Sequence, residues 1–283
     1  MIAITGATGQ LGRLVIESLL KTVPAGEIVA AVRQPSRAAD LAALGVLVRE
    51  ADYTQPVSLE AAFKGVDKVL LISSSEVGQR LPQHKNVIDA AKRAGVSLLA
   101  YTSILRADTS PLALAEEHKA TEAYLKTSGL AHVLLRNGWY TENYLASAKP
   151  ALQHGAYIGS ADGGCIASAA RADYAEAAAV VLTTPAQAGK VYELAGDEAY
   201  TLAELAAELS RQSGKTVPYV NLPEAEYAKA LEVAGLPGPF AAILANSDIG
   251  ASNGALFDNS HQLGKLIGRP TTPLATLLKV ALQ

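Results

Sequence analysis

Ile2-Ala-Ile-Thr-Gly-Ala-Thr-Gly-Gln-Leu-Gly12 opens the chain with an apolar strand, a glycine turn and the start of a helix. Gly6, Gly9 and Gly12 read G-x-x-G-x-x-G. After a strand and before a helix, the first glycine permits the tight turn and the second lets the backbone approach a pyrophosphate. The third lets the helix lie close to the sheet. The helix N-terminus adds free N–H groups and the positive end of its dipole. The stretch predicts a dinucleotide site, with a purely structural turn as the alternative.

Working outward, apolar strands alternate with helices. Strands are expected at 28–32, 46–49, 69–72, 97–101 and 131–135, with helices at 36–44, 58–63, 82–94 and 114–127. Near-continuous apolar strands separated by helices of this length predict an α/β protein, a Rossmann-type doubly wound parallel sheet covered on both faces. Right-handed crossovers then bring the strand C-termini to one edge. That edge carries Thr5-Gly6, Arg33, Asp52, Ser73–Ser75, Thr102-Ser103 and Arg136–Gly138. The second half is less regular. Helices are expected at 142–153, 172–182, 202–212, 223–234 and 237–246, with strands at 156–160 and 191–194. This gives residues 1–150 as a dinucleotide-binding domain and 151–283 as a mainly helical substrate-side lobe, with 172–194 returning to the first domain. Gly250–Gly254 and Leu256-Phe257 read as part of a mobile lid.

With 283 residues, 49% hydrophobic, the chain can bury a sizeable core. The formal charge of -3 offers no general attraction to nucleic acid or anionic lipid. Cys165 is the sole cysteine, which excludes an intrachain disulfide and a thiolate metal cluster. No signal peptide or membrane-length apolar run is read, so the expected compartment is the cytoplasm. A homodimer is compatible with this composition, since most soluble oligomers are cyclic pairs.

Arg33 directly follows the second strand, where NAD-selective sites place a carboxylate for the ribose 2′-OH. An arginine there suits a 2′-phosphate and favours NADPH, with NADH left open; the alternative is a solvated arginine at a helix start. Arg37 is a weaker helper. Asp52-Tyr53 reads as an adenine contact or a surface turn. Ser73, Ser74 and Ser75 offer short hydroxyls to ribose or phosphate, and Gln83 is a candidate to reach inward. Thr102-Ser103 falls at the nicotinamide end. His118 and Glu122 stand one helical turn apart, so that the carboxylate orients the imidazole or both make a surface contact. Arg136-Asn-Gly-Trp-Tyr-Thr-Glu-Asn-Tyr144 holds the only tryptophan. Asn137 is a candidate for backbone around the nicotinamide. Trp139, Tyr140 and Tyr144 supply flat walls for a flat substrate, or else an aromatic core plug.

Gly6–Gly12 with Arg33, Leu71-Ile-Ser-Ser-Ser75, Tyr101-Thr-Ser103, His118–Glu122 and Leu135-Arg-Asn-Gly-Trp-Tyr140 through Asn143 make the chain resemble a known family over essentially its full length. This is the NmrA-like, atypical branch of the short-chain dehydrogenase/reductases. Within it the likeness is to the bacterial type 2, flavin-free NAD(P)H:quinone oxidoreductases and the triphenylmethane dye reductases. The resemblance implies NADPH, with Gly6, Thr8, Gly9, Gln10, Leu11 and Arg33 around its phosphates and adenosine end. Ser75 and Asn137, Gly138, Trp139 and onward to Asn143 are implied near ribose and nicotinamide.

The wider superfamily uses Tyr-x-x-x-Lys. Here Leu114 stands at the tyrosine position and His118 at the lysine position, so the usual tyrosyl proton relay is absent. The expected chemistry is direct hydride transfer to a stacked, planar quinone, without flavin or metal. The candidate proton sources are water or a hydroxyl or imidazole at Tyr140 and His118, and Asn143 is a candidate hydrogen-bonding partner of nicotinamide or quinone oxygen. Two rivals stand beside it: reduction of another conjugated acceptor such as a cationic dye, and an NADP-binding sensor without turnover.

Overall fold

Each apolar segment of the first half becomes a strand followed by a covering helix. The computed structural model describes residues Met1–Gln283. In chain order come β1 (Ile2–Thr5), α1 (Gln10–Leu19), β2 (Ile28–Val32), α2 (Ala39–Ala43), β3 (Leu47–Glu50), α3 (Pro56–Ala62), β4 (Lys68–Leu71), α4 (Arg80–Arg93), β5 (Leu98–Ile104), α5 (Ala115–Ser128) and β6 (His132–Asn137). Then follow α6 (Thr141–Leu145), α7 (Ala148–His154), β7 (Tyr157–Gly159), α8 (Arg171–Thr183), β8 (Val191–Leu194), α9 (Leu202–Ser213) and β9 (Tyr219–Asn221). Four helices close the chain: α10 (Glu224–Val233), α11 (Gly238–Ser252), α12 (Gln262–Ile267) and α13 (Leu274–Ala281).

The chain divides into two compact units. The first comprises Met1–Ala107, Glu116–Asn137 and Arg171–Glu193. It stops at Asn137 rather than at residue 150, and α8 with most of β8 comes back to it. Its sheet runs β3-β2-β1-β4-β5-β6-β8, and β3 through β6 pair in parallel. β2 and β5 are buried at every residue, as a strand covered on both faces requires. The strand order reverses between β1 and β4, the switch point at which a crevice opens beyond the strand C-termini. Beneath it, Phe63, Leu71, Val87, Ile88, Leu99 and Tyr101 form part of a continuous core.

The second unit comprises Asp108–Ala115, Gly138–Ala170 and Leu194–Gln283, and is mainly helical. It holds a two-stranded parallel sheet, β7 with β9, in which Tyr157 faces Tyr219. The single helix expected over 142–153 is two helices, α6 and α7. Pro150 explains the break: it lacks an N–H and its ring opposes the carbonyl of Ala146. α11 continues six residues past the expected Asn246. Gly250 lies inside it, buried so tightly that a Cβ would come 2.2 Å from the Leu112 side chain. Leu256 is buried as well. The lid expected around Gly250–Phe257 is therefore corrected: its first part is packed helix, in which glycine serves close approach.

Candidate functional site

The turn after β1 is built on its glycines. Gly6 takes φ +58°, the left-handed region that glycine enters freely. The Gly9 N–H donates to the Gly6 carbonyl at 2.9 Å and closes the turn. Gly9 then stands as the N-cap of α1 in extended backbone, with no side-chain cap. The first N–H groups of α1 thus have no intrahelical acceptor. A Cβ on Gly12 would fall 2.5 Å from the Gly6 oxygen and 2.7 Å from the Ala7 Cα, so helix and turn touch through backbone.

This turn forms one wall of a cavity of about 400 Å³ at the β1/β4 switch point. Gly6, Thr8 and Gly9 line it after β1; Arg33, Gln34 and Arg37 after β2; Asp52 and Tyr53 after β3. Ser73, Ser74, Ser75 and Glu76 line it after β4, and Gln83 from α4. The structure so gathers most of the expected cofactor residues of the first unit. Gln10, Leu11 and Gly12 are the opening residues of α1 behind the turn, with Leu11 and Gly12 buried. Thr102 is buried beneath the serine run, where its Oγ1 accepts the Ser73 N–H at 2.9 Å. Asn137 ends β6, 5% exposed, and its Oδ1 is buried without a hydrogen-bond partner.

The serine run is held from below by a buried polar network that the sequence reading did not assemble. His84 Nε2 accepts the Ser74 N–H at 2.9 Å, which assigns the proton to Nδ1, facing Thr121 Oγ1 at 3.0 Å. The Thr121 hydroxyl in turn donates to the Glu117 carbonyl. The Arg80 Nε donates to the Ser74 carbonyl at 2.6 Å. The Glu117 carboxylate, reaching across from α5, accepts the N–H groups of Gly78 and Arg80 and thereby caps α4. Thr5 Oγ1 accepts the Ile72 N–H, while the Tyr53 hydroxyl donates to the Ile72 carbonyl at 2.8 Å. Burial, reinforced by the neighbouring Arg80 cation, pushes His84 down to about 3 and holds it neutral.

His118 belongs to this network and not to the cavity lining. Its Nδ1 lies 2.7 Å from the Tyr101 hydroxyl and its Nε2 faces Arg80. Burial first, then the Arg80 cation, drive it well below the usual imidazole range. The expected His118–Glu122 pair is corrected: both are buried on one face of α5, yet each takes a different partner. Glu122 accepts the Ser103 hydroxyl at 2.6 Å and a two-pronged contact from Arg136, at 2.9 and 2.7 Å. Arg136 also reaches Glu193 at 2.7 Å. The facing strands β5 and β6 decide these partners, and periodicity within α5 carries no information about them.

The remaining expected residues lie in the second unit. The Gly138 N–H donates to the Leu194 carbonyl at 2.7 Å. Trp139 is buried, and Tyr140, the N-cap of α6, bridges to Ala169. Asn143 sits within α6, its N–H on the Tyr140 carbonyl at 3.0 Å. Tyr144 is buried and donates to the Asp248 carboxylate at 3.1 Å. Asp248 also accepts the Ser160 N–H, and burial raises it to about 6. Glu76 lines the cavity but was not among the expected residues. For Glu76 the available signal was an acid directly after the serine run. No group of three or more His, Cys, Asp or Glu side chains is placed to hold a metal ion, and no helix is long and apolar enough to cross a membrane.

Comparison with known proteins agrees with this geometry. Residues 6–185 match the model of a family described as NAD(P)H-binding. Quinone oxidoreductase 2 of Escherichia coli K12 is 64% identical over 275 residues, covering 97% of this chain and 96% of that protein. The crystal structure of an NADPH-dependent quinone oxidoreductase from Escherichia coli, complexed with NADPH, superposes with a TM-score of 0.98 at 62% identity over 100% of both chains. Triphenylmethane reductase of Citrobacter sp., complexed with NADP(H), gives 0.95 at 42% identity over 99% of this chain and 100% of that one. The chain belongs to the NAD(P)H-binding Rossmann family, within the NmrA-like group that contains quinone oxidoreductase 2 and triphenylmethane reductase.

Proposed function

We propose that the protein is an NADPH-dependent, flavin-independent quinone oxidoreductase. The observation that carries the reading is the cavity at the switch point, where the glycine turn, Arg33, Arg37 and the serine run converge. The residues fit a dinucleotide phosphate on two counts. Gly9 keeps the turn bare of side-chain atoms, and the one atom within 4 Å of a Cβ there is the Gly6 backbone oxygen, tight at 3.1 Å, so the position favours glycine and leaves backbone to meet the ligand. Asn137 holds a buried carboxamide oxygen with no partner, suited to accept from a ligand amide.

In this reading Gly6, Thr8, Gly9 and the N–H groups of Gln10, Leu11 and Gly12 receive the pyrophosphate. Arg33 and Arg37 take the 2′-phosphate, and Asp52 the adenine edge. Ser73, Ser74, Ser75 and Gln83 hold the ribose, with Thr102 fixing the backbone of Ser73. His118 is a positioning residue, because both its nitrogens are engaged with Tyr101 and Arg80 away from the lining. Gly138 and Trp139 are assigned to the nicotinamide and acceptor walls. Asn143 is assigned as hydrogen-bond donor to a quinone oxygen, and the Tyr140 phenol as proton source.

When bound, the dihydronicotinamide supplies a hydride, two electrons in one step. A quinone that gains a hydride and a proton becomes a hydroquinone, and the aromatic ring it acquires stabilises the charge that builds on oxygen. Leu114, with no ionisable group, is adequate for such an acceptor and inadequate for an unactivated ketone. The protein then supplies proximity and orientation. Likeness to triphenylmethane reductase keeps a conjugated dye as the second acceptor class. The cytoplasm and a homodimer belong to the same reading. Steady-state oxidation of NADPH by 1,4-benzoquinone, with NADH and enzyme-free controls and a flavin-free absorption spectrum, tests it. NADPH binding without turnover on any flat acceptor would convert the reading to a sensor.

A further inference from the structure

We propose that Glu76 is a second reader of the ribose 2′ position and sets how strongly NADPH is preferred over NADH. The inference rests on the NADPH reading above. Arg33, the expected receiver of the 2′-phosphate, already holds an anion: its Nη1 lies 3.0 Å from Glu76 Oε1. The other oxygen of that carboxylate accepts the Gln83 side-chain N–H at 2.7 Å. Arg33, Glu76 and Gln83 all line the cavity. Glu76 thus occupies the guanidinium that a 2′-phosphate needs.

The loop bearing Glu76 cannot move aside as a whole without breaking the hydrogen bonds that hold the backbone on either side of it. The backbone of Ser73 and Ser74 is tied to Thr102, His84 and Arg80, and that of Gly78 and Arg80 to Glu117. The freedom left is in the Glu76 side chain, which is 47% exposed, against 63% for Arg33. An exposed pair of this kind is weak, and a dianionic phosphate displaces a monoanionic carboxylate. The displaced carboxylate stays on a fixed loop near the new phosphate and repels it.

With NADH the sign reverses. A free 2′-OH donates to a carboxylate, the role that NAD-selective sites give to an acid at the end of β2. Here that position is arginine, and the acid comes from the loop between β4 and α4. The site presents a cation for the phosphate and an anion for the hydroxyl side by side, so Glu76 lowers discrimination between the two cofactors.

The test is equilibrium binding, free of turnover: calorimetric Kd values of NADP+ and NAD+ for wild type, Glu76→Gln and Arg33→Gln. Removing the competing carboxylate is expected to tighten NADP+ by roughly fivefold and weaken NAD+ by about as much. The fragment 2′,5′-ADP should follow NADP+, while 5′-ADP, which carries the same free 2′-OH as NAD+, should follow NAD+. Arg33→Gln should weaken NADP+ selectively. Unchanged or weaker NADP+ binding by Glu76→Gln overturns the proposal alone. Failure of wild type to bind NADP+ overturns the NADPH reading and the proposal with it. Glu76→Ser repeats the test should Glu76→Gln fold poorly.

Discussion

Alanine at Gly9 and at Gly12 should separate binding from folding within one turn. At Gly12 the new Cβ would meet backbone, the Gly6 oxygen at 2.5 Å and the Ala7 Cα at 2.7 Å, so no flexible side chain can yield. Overpacking of this kind costs about 1–3 kcal/mol. Replacing a helical glycine by alanine returns up to about 1 kcal/mol. The net expectation for Gly12→Ala is a loss of about 1–2 kcal/mol, a few degrees in Tm for a chain of this size. At Gly9 the backbone is extended (φ -76°, ψ 169°), which alanine adopts, and the one close contact of a Cβ is the Gly6 oxygen at 3.1 Å, which a shift of a few tenths of an ångström relieves. Stability should change by less than about 1 kcal/mol. If the Gly9 backbone faces a pyrophosphate, the added methyl should nonetheless weaken NADP+ at least about tenfold, equivalent to about 1.4 kcal/mol. Urea denaturation with calorimetric NADP+ titration reads both quantities. Full NADP+ affinity in Gly9→Ala would refute the pyrophosphate assignment, and wild-type stability in Gly12→Ala would refute the packing argument.

Glu122→Gln should lower stability by about 3 kcal/mol, because it leaves the buried Arg136 guanidinium with only part of its carboxylate shell; a loss below about 1 kcal/mol in urea denaturation would count against it. Asp248, raised from 3.8 to about 6, takes up a proton in the folded state before the unfolded state does. Its contribution is therefore greatest below about pH 4 and is lost as pH rises through 6, an amount of order 3 kcal/mol. His84, depressed to about 3, works in the opposite direction, since stability falls as pH drops below the unfolded value of about 6.5. The stability difference between wild type and Asp248→Asn isolates the aspartate, and a pH-independent difference between pH 4 and 7 would exclude the assignment. His118→Gln should lower Tm yet keep kcat within about threefold with an unshifted pH profile, as befits a support beneath the serine run; loss of an ionisation from the kcat profile would make it a proton donor instead.

The legible part of this protein is the part in which chain-local chemistry decides the outcome. Gly6, Gly9 and Gly12 mark a tight turn between a strand and a closely packed helix, and Arg33 and Ser73–Ser75 follow their strands directly, so the parallel sheet carries them to one edge. Long-range partners were hidden for a physical reason. The spacing of His118 and Glu122 places both on one face of α5, but Tyr101 on β5 and Arg136 on β6 determine what each one touches. His84, Arg80 and Glu117 converge on the serine run from two helices, and no sequence interval encodes that meeting. In the second unit, Pro150 broke a helix whose periodicity was continuous. Gly250 read as mobility where burial against Leu112 demands glycine for contact.

The central claim is direct, two-electron transfer from NADPH to a quinone, and a single-turnover experiment tests it most directly. Flavin-free protein saturated with NADPH would be mixed with 1,4-benzoquinone while NADPH absorbance, hydroquinone yield and semiquinone radical are followed. The account predicts enzyme-dependent, saturable oxidation with one hydroquinone per NADPH, no semiquinone signal, and slowing when the transferred hydrogen is deuterium. An absent enzyme-dependent rate despite bound NADPH, or a stoichiometric semiquinone, would contradict it.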